Sequence, residues 1–142
     1  MYETVLLPTD GSEVAAGAVD HAIDAARRHD ATIHLLYVVD ESVAQAAPGL
    51  AMGEINEQLR AEGERAIAEL EEAIADAGIA TETAIRVGAP AEEICRQVDE
   101  TGADLVVVGS TGKRIVERER VGSVTDSVLR KANVPVLSVP RA

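Results

Sequence analysis

Five short apolar runs, rich in β-branched residues, alternate along this chain with longer stretches of helical periodicity. The runs are TVLLP, ATIHLLYVVD, IATETAIRVG, ADLVVVG and VPVLSVP. The second and fourth are apolar on both faces, which is typical of parallel strands covered by helices on both sides. Strands that alternate with helices in this way predict an open parallel α/β sheet with helices on both faces, a Rossmann-like fold.

The stretches between the first three runs contain two clear helical patterns. GSEVAAGAVDHAIDAARRHD predicts the first helix, and a longer amphipathic helix is predicted from about Glu54 to Ala77, where Gly78 is expected to end it. Residues 41–53 contain Pro and Gly and predict an irregular segment.

Two further helices are predicted in the second half of the chain. Pro90 suits the first turn of a helix that ends near Gly102, and the apolar stripe of this helix is expected to bury Ile94, Cys95 and Val98. The last helix is predicted from Ser123 to about Ala132, directly before the fifth strand.

The length of 142 residues suits one domain, and we expect residues 1–142 to form it without a linker or repeat. Aromatic residues make up only 1% of the chain, so the core must consist of Val, Ile, Leu and Ala. No apolar run approaches the roughly 20 residues of a membrane helix, and the N-terminus predicts no cleavable signal. The lone Cys95 excludes an internal disulfide. A reduced, cytoplasmic setting is the simplest interpretation.

The formal net charge is −12, which argues against a nucleic-acid-binding protein because such proteins usually carry a basic stripe. Lys113 and Lys131 are the only lysines among many Asp and Glu residues. This composition is similar to that of proteins from salt-loving microbes, and an ordinary acidic surface that aids solubility is the alternative interpretation.

The segment GSTGKRIVERERVGS follows the fourth strand and contains the strongest functional signal. Gly109 ends the strand, and Gly122 and Ser123 open the next helix, where free backbone N–H groups attract anions. Glycines there let the backbone approach a ligand and adopt positive φ, and Ser123 and Thr125 can add hydroxyl donors. The residues from Lys113 to Arg120 have a net charge of +2, which suits phosphates. A long turn with Ser123 as an ordinary N-cap is the alternative.

This segment is neither a P-loop nor a dinucleotide-binding fingerprint, because neither spacing occurs. The sequence from Val106 to Val139 instead closely resembles the C-terminal signature of the universal stress protein family. The family pattern G-x2-G-x9-G-[ST] is matched by Gly109, Gly112, Gly122 and Ser123. The opening VLLPTDGSEVA is similar to the first strand and turn of that family, and the resemblance extends over essentially the whole chain.

The resemblance implies the ATP-binding branch of the family, with strand order 3-2-1-4-5 and ATP across the carboxyl edge between strands one and four. It implies that the glycine segment holds the phosphates and ribose, that Asp10 lies near the nucleoside, and that the main chain at Val38 meets adenine. From residues alone, Asp10 is equally explained as an Asx-turn. The candidate nucleotide-binding residues are Pro8, Thr9, Asp10, Val38, Gly109, Ser110, Gly112, Gly122, Ser123, Val124 and Thr125.

The sequence offers little sign of catalysis. It shows no Ser-His-Asp set, and the spacing of His21, His29 and His34 predicts no metal site. Asp10, Glu13, Asp40 and Glu41 could help hold Mg²⁺ on a bound triphosphate. We therefore expect an ATP-binding stress or signalling protein with at most slow ATP hydrolysis.

The sequence disfavours three alternative functions. A dimeric interaction scaffold without nucleotide is disfavoured by the intact glycine spacing. A phospho-receiver domain requires an acceptor Asp after strand three, where RVGAP stands, and a related hydrolase or nucleotidyl transferase requires a His or Lys motif that PTDGSE lacks.

The fifth run predicts an edge strand, because Pro135 removes a ladder donor. An apolar edge invites pairing with another chain. Four residues there were expected to be poorly buried in a monomer, namely Val134, Val136, Leu137 and Val139. The resemblance also implies pairing of this strand across a two-fold axis, so a homodimer through Val134–Val139 is predicted.

Overall fold

The predicted strands form a parallel sheet in this computed structural model, which describes residues 1–46, 52–110 and 121–140. The strands are β1 (Thr4–Thr9), β2 (Thr32–Asp40), β3 (Thr81–Gly88), β4 (Leu105–Gly109) and β5 (Val136–Val139). They lie in the order β3-β2-β1-β4-β5, and every pairing is parallel. The predicted fold class and the strand order implied by the resemblance are therefore confirmed.

Helices cover both faces of this sheet. They are α1 (Glu13–His29), α2 (Glu41–Ala46), α3 (Met52–Asp76), α4 (Pro90–Thr101) and α5 (Ser123–Lys131). As predicted, α3 stops before Gly78, whose φ of 79° and N–H bond to the Ala75 carbonyl close the helix end. In the described part of the chain, none of the helices combines the length and apolar character needed to cross a bilayer.

Two apolar cores lie on opposite faces of the sheet, and β1 contributes to both. Val5 and Leu7 pack on the face covered by α1 and α3, whereas Leu6 packs on the face covered by α4 and α5. All three side chains are fully buried. Because complete burial of one such side chain stabilises a fold by about 1.5–3 kcal/mol, β1 has no tolerance for polar residues in this stretch. The carboxyl end of β1 is thereby held at the centre of the sheet edge.

The prediction of an irregular segment at residues 41–53 was wrong for its start, where α2 forms. Asp40 Oδ1 accepts hydrogen bonds from the Ser42 backbone N–H at 3.0 Å and from the Ser42 hydroxyl at 2.7 Å. This local capping satisfies a donor that the helix cannot satisfy itself. Residues 47–51 lie outside the described part of the chain, and α3 begins earlier than predicted, at Met52.

The fifth strand lies at the edge of the sheet, as expected, but it is shorter than predicted. Pro135 precedes β5 and still accepts a hydrogen bond from Val106 N–H at 3.0 Å. Leu137 is 41% exposed, in line with the expectation of poor burial. Val139 contradicts that expectation, because it is buried in the core that α1 covers.

The residues that helix α4 buries differ from those of its predicted apolar stripe. Cys95 is only half-buried, although burial still raises the pKa of its thiol above the ordinary value. Glu93 and Gln97 are buried although both are polar. The reason is Arg86 of β3, which donates hydrogen bonds to both side chains and compensates their loss of hydration.

Candidate functional site

A cleft of about 290 Å³ opens at the carboxyl edge of the sheet, where β1 lies between β2 and β4. Strands β2 and β3 lie on one side of β1, and β4 and β5 lie on the other, so the strand order reverses here. Ligands bind at such switch points in open α/β sheets. Nine of the predicted site residues line the cleft: Pro8, Thr9, Asp10, Val38, Gly109, Gly122, Ser123, Val124 and Thr125. Of the other two, Ser110 does not line it, and Gly112 lies outside the described residues.

The remaining lining residues are mostly apolar, and among them only Asp40 had been singled out from the sequence as a possible Mg²⁺ ligand. Those from the strands are Leu36, Tyr37, Val39, Asp40 and Val108, and those from the helices are Val43, Leu59, Pro90 and Ile94. Pro90 follows the carboxyl end of a strand, which is a signal that could have identified it. Val43 and Leu59 carry no such signal, because tertiary packing alone brings α2 and α3 to the cleft. Apolar walls with few polar groups suit a flat organic ring.

Helix α5 begins at the cleft without a side-chain cap. Its N-cap is Gly122, not Ser123 as the alternative interpretation required, and Asp126 N–H makes the first helical bond, to Gly122 O at 2.9 Å. The N–H groups of Ser123, Val124 and Thr125 therefore have no acceptor among the described residues. The φ of Gly122 is −73°, so positive φ is not the reason for a glycine at this position, and close approach to a ligand is the other reason that the sequence suggested.

Two hydrogen bonds join the residues that flank segment 111–120 beside the cleft, and a third connects Ser110 to β5. Gly122 N–H donates to Ser110 O at 2.6 Å, and the Thr125 hydroxyl donates to Gly109 O at 2.8 Å. Ser110 N–H donates to Val139 O of β5 at 2.8 Å. Because the only hydroxyl proton of Thr125 is used for Gly109, this side chain fixes α5 against β4 in this structure.

The turn after β1 is built by its own side chains. Gly11 N–H donates to Thr9 Oγ1 at 3.1 Å, and Ser12 N–H donates to Asp10 Oδ1 at 2.9 Å. Gly11 has a φ of 81°, which a residue with a Cβ rarely adopts. Asp10 therefore forms the Asx-type turn of the alternative interpretation and also lines the cleft, so the two interpretations are compatible.

The main chain of Val38 faces the cleft for a reason that can be traced along β2. In a parallel sheet, the N–H and C=O of one residue point to one neighbouring strand and those of the next residue point to the other. Thr32 N–H donates to Glu3 O on the β1 side, and Ile33 N–H donates to Ala80 O on the β3 side. Even-numbered residues of β2, including Val38, thus point towards β1.

β1 ends before it can pair with the Val38 carbonyl. The last register pair of the two strands is Thr9 with Tyr37, whereas β2 continues alongside β3 to Asp40. Gly11 N–H, which a longer β1 would direct at Val38, bonds Thr9 Oγ1 instead. No described residue of β1 therefore satisfies the Val38 carbonyl, which is left at the cleft as an acceptor.

The region around Tyr37 and Asp10 has a negative electrostatic character that comes from carboxylates. Burial raises the pKa of the Tyr37 hydroxyl above its ordinary value, and the charges of Glu62 and Asp10 raise it further. The phenol therefore stays neutral at physiological pH. The carboxylates at this end of the cleft favour a ligand that brings hydrogen-bond donors or a cation.

A profile described as Universal stress protein family matches residues 1–140. The chain is 37% identical over 142 residues to universal stress protein MJ0531 of Methanocaldococcus jannaschii, a match that covers 99% of this chain and 84% of the relative. The solved structure of MJ0577 from the same organism superposes with a TM-score of 0.90 at 32% identity, covering 100% of this chain and 98% of that one. A universal stress protein crystallised in complex with cAMP superposes with a TM-score of 0.72 at 28% identity, with coverage of 97% and 96%.

Proposed function

Since the chain belongs to the universal stress protein family, we propose that its cleft binds an adenine nucleotide, and ATP in particular. The observation that carries this proposal is the uncapped start of α5, where the amides of Ser123, Val124 and Thr125 open beside the end of β4. Such amides and the helix dipole stabilise phosphate groups. The complex of a similar protein with cAMP is further support, because cAMP carries both an adenine and a phosphate.

The opposite end of the cleft suits the nucleoside. The carbonyl of Val38 provides an acceptor for the exocyclic amine of adenine, and Pro90 and Ile94 provide an apolar surface for the ring. The carboxylate of Asp10 at the turn after β1 can accept a hydrogen bond from a ribose hydroxyl. These groups give the cleft a polar acceptor, an apolar wall and a phosphate end in one continuous space.

Mg²⁺ fits this proposal as a companion of the triphosphate. Asp10 and Asp40 both line the cleft, and a cation between a carboxylate and phosphate oxygens reduces the repulsion between two anionic partners. The sequence also suggested Glu41, which follows Asp40 directly, and Glu13, which lies three residues after Asp10. We propose that Mg²⁺ enters with ATP and is held by one or two of these carboxylates.

The proposed output of nucleotide binding is a change in the glycine segment and in a homodimer formed through β5. Ser110 links the two regions, because its N–H donates to Val139 of β5 and its carbonyl accepts from Gly122. A ligand that contacts Gly122 is therefore connected to the edge strand through two successive hydrogen bonds. Protein partners would read the resulting state, as in other ligand-biased equilibria. A dimeric scaffold that does not bind nucleotide is the competing proposal.

The decisive experiment measures nucleotide in and on the purified protein. Nucleotide is released by denaturation and identified, and ATP with Mg²⁺ is titrated by calorimetry in high salt. We expect bound adenine nucleotide or measurable binding heat. If neither is found, the scaffold proposal is favoured.

A pair of variants locates the phosphate end. Gly122→Val should lower ATP affinity roughly tenfold or more, because a branched side chain then stands beside the free amides while its φ and ψ remain allowed. Gly53→Val is the matched control, since a Cβ there has open space and Gly53 does not line the cleft. Equal ATP affinity in both variants would mean that the phosphates bind elsewhere.

A further inference from the structure

Arg86 of β3 extends its guanidinium group along α4. Its Nε donates to Glu93 Oε2 at 2.7 Å, and its Nη1 donates to Gln97 Oε1 at 2.8 Å and to Glu100 Oε2 at 2.6 Å. Arg96 Nη1 donates to the other oxygen of Glu93 at 2.5 Å. The three acceptors for Arg86 are spaced i, i+4 and i+7, so they form one stripe of the helix. One side chain of the sheet thus holds two turns of α4.

Gly88 makes room for the buried carboxylate of this cluster. A Cβ at Gly88 would lie 2.8 Å from Glu93 Oε1 and 2.9 Å from Glu93 Cγ, and the φ of 156° also disfavours other residues. The side chain of Glu93 therefore lies over the backbone at the end of β3. This close approach gives Gly88 a role beyond the turn that the sequence suggested.

The cluster is adjacent to one wall of the cleft. Ile94 follows Glu93 directly, Pro90 lies one turn earlier in α4, and both line the cleft. Arg86 is the register partner of Val38, which also lines the cleft, and cross-strand partners lie side by side on the same face of a sheet. The ion pair is therefore placed directly behind the apolar surface assigned above to the base.

We propose that Arg86 and Glu93 are positioning residues that set the rotation of α4 about its axis, so that Pro90 and Ile94 form the base-binding wall opposite Val38. This inference rests on the proposed nucleotide function. The two ends of the cleft then have separate roles. The ion pair controls the affinity for the nucleoside, and the start of α5 controls the affinity for the phosphates.

Stability alone is a poor explanation for this cluster. The Glu93 side chain is 9% exposed and that of Arg86 is 22% exposed, so both groups lose much of their hydration on folding. Well-packed apolar residues often replace such a pair without loss of stability, whereas a fork of fixed hydrogen bonds defines orientation. An apolar interface between β3 and α4 would keep the helix on the sheet and leave its rotation less well defined.

The test replaces both partners at once with Arg86→Met and Glu93→Leu, which leaves no unpaired buried charge. An apolar replacement of the ion pair is often stabilising, but the buried Gln97 side chain loses its donor, so thermal unfolding should change little. The Kd values for adenosine and for ATP should nevertheless both rise by roughly tenfold. Gly122→Val should show the opposite pattern, with ATP weakened and adenosine retained. A purely structural role for the pair predicts no such separation between stability and nucleoside affinity.

Arg96→Gln is the matched control, because Arg96 is 55% exposed and contacts Glu93 from the solvent side. It should leave both affinities unchanged. If the double variant does not fold, Arg86→Lys takes its place, since an ammonium keeps the charge but cannot reach three acceptors, and a several-fold loss of adenosine affinity is expected. Parent-like adenosine affinity in a folded Arg86 variant overturns this inference alone. Absence of any nucleotide binding by the parent protein overturns the proposed function and this inference with it.

Discussion

Gly63 lies in the interior of α3, where the helix packs on the ring of Tyr37. Gly63 is buried, and a Cβ added there would lie 2.8 Å from Tyr37 Cγ and 2.9 Å from Tyr37 Cε1. Tyr37 is only 5% exposed, and it pairs with β1 on one side and with β3 on the other. Its ring therefore has little room to move away from α3. We predict that Gly63→Ala destabilises the protein, although alanine is the better helix former.

Two opposing effects determine the size of the change. Replacing an interior helix glycine by alanine stabilises by about 0.5–1 kcal/mol through backbone entropy. Forcing a methyl group into a packed core costs about 1–3 kcal/mol, and contacts below 3 Å to a ring that cannot move lie in the upper part of that range. The net loss should be about 1–2 kcal/mol, or a decrease in Tm of roughly 3–6 °C.

Urea unfolding at fixed protein concentration and high salt measures the change. Gly17→Ala in α1 is the matched control, because Gly17 is also in a helix interior but a Cβ there has nothing within 4 Å, and this variant should be more stable than the parent. In a Tyr37→Leu background, the penalty of Gly63→Ala should shrink because the ring is gone. If Gly63→Ala is as stable as the parent with an unchanged m-value, the packing argument is wrong.

Three further predictions follow from the same structure. Burial raises the pKa of the Tyr37 hydroxyl in the folded protein above its value in the unfolded chain. The neutral phenol therefore contributes fully to the free energy of unfolding below the unfolded-state pKa, and this contribution is lost as the pH rises through the folded-state pKa. The difference in tyrosinate absorbance between the parent and Tyr37→Phe should reveal this late titration, and a step at the ordinary value would contradict it. Thr125→Val should lower the free energy of unfolding by about 1–2 kcal/mol by removing the donor to the Gly109 carbonyl, and an unchanged urea midpoint would argue against the importance of this bond. Leu137→Glu should shift sedimentation towards a monomer if β5 forms the dimer, whereas Asp126→Ala on the exposed surface of α5 should not. Identical sedimentation of parent and Leu137→Glu would exclude this edge as the interface.

Much of the fold could be predicted from the sequence because its signals are local. The apolar runs on both faces of β2 and β4 indicated buried parallel strands, and the helix between residues 52 and 76 was evident from its periodicity and from Gly78. The spacing of Gly109 and Gly122 directed attention to the sheet edge where both residues line the cleft, since a helix start after a strand can bind an anion. These signals depend on residues a few positions apart, which one sequence contains in full.

Other features depended on partners that are distant in sequence. Nothing in the sequence around Glu93 and Gln97 indicates their burial, which the hydrogen bonds from Arg86 of β3 make possible. The tight contact between Gly63 and Tyr37 and the burial of Val139 have the same origin.

The division between the two sources of information is therefore physical. Hydrophobic period, turn chemistry and glycine spacing specify which segments become strands and helices, and the chain by itself determined these together with the location of the proposed phosphate site. The position of Val43 and Leu59 in the cleft lining was decided only by the tertiary structure. Packing energies arise between surfaces that meet after folding, so the identity of those surfaces cannot be read from the neighbours of a residue along the chain.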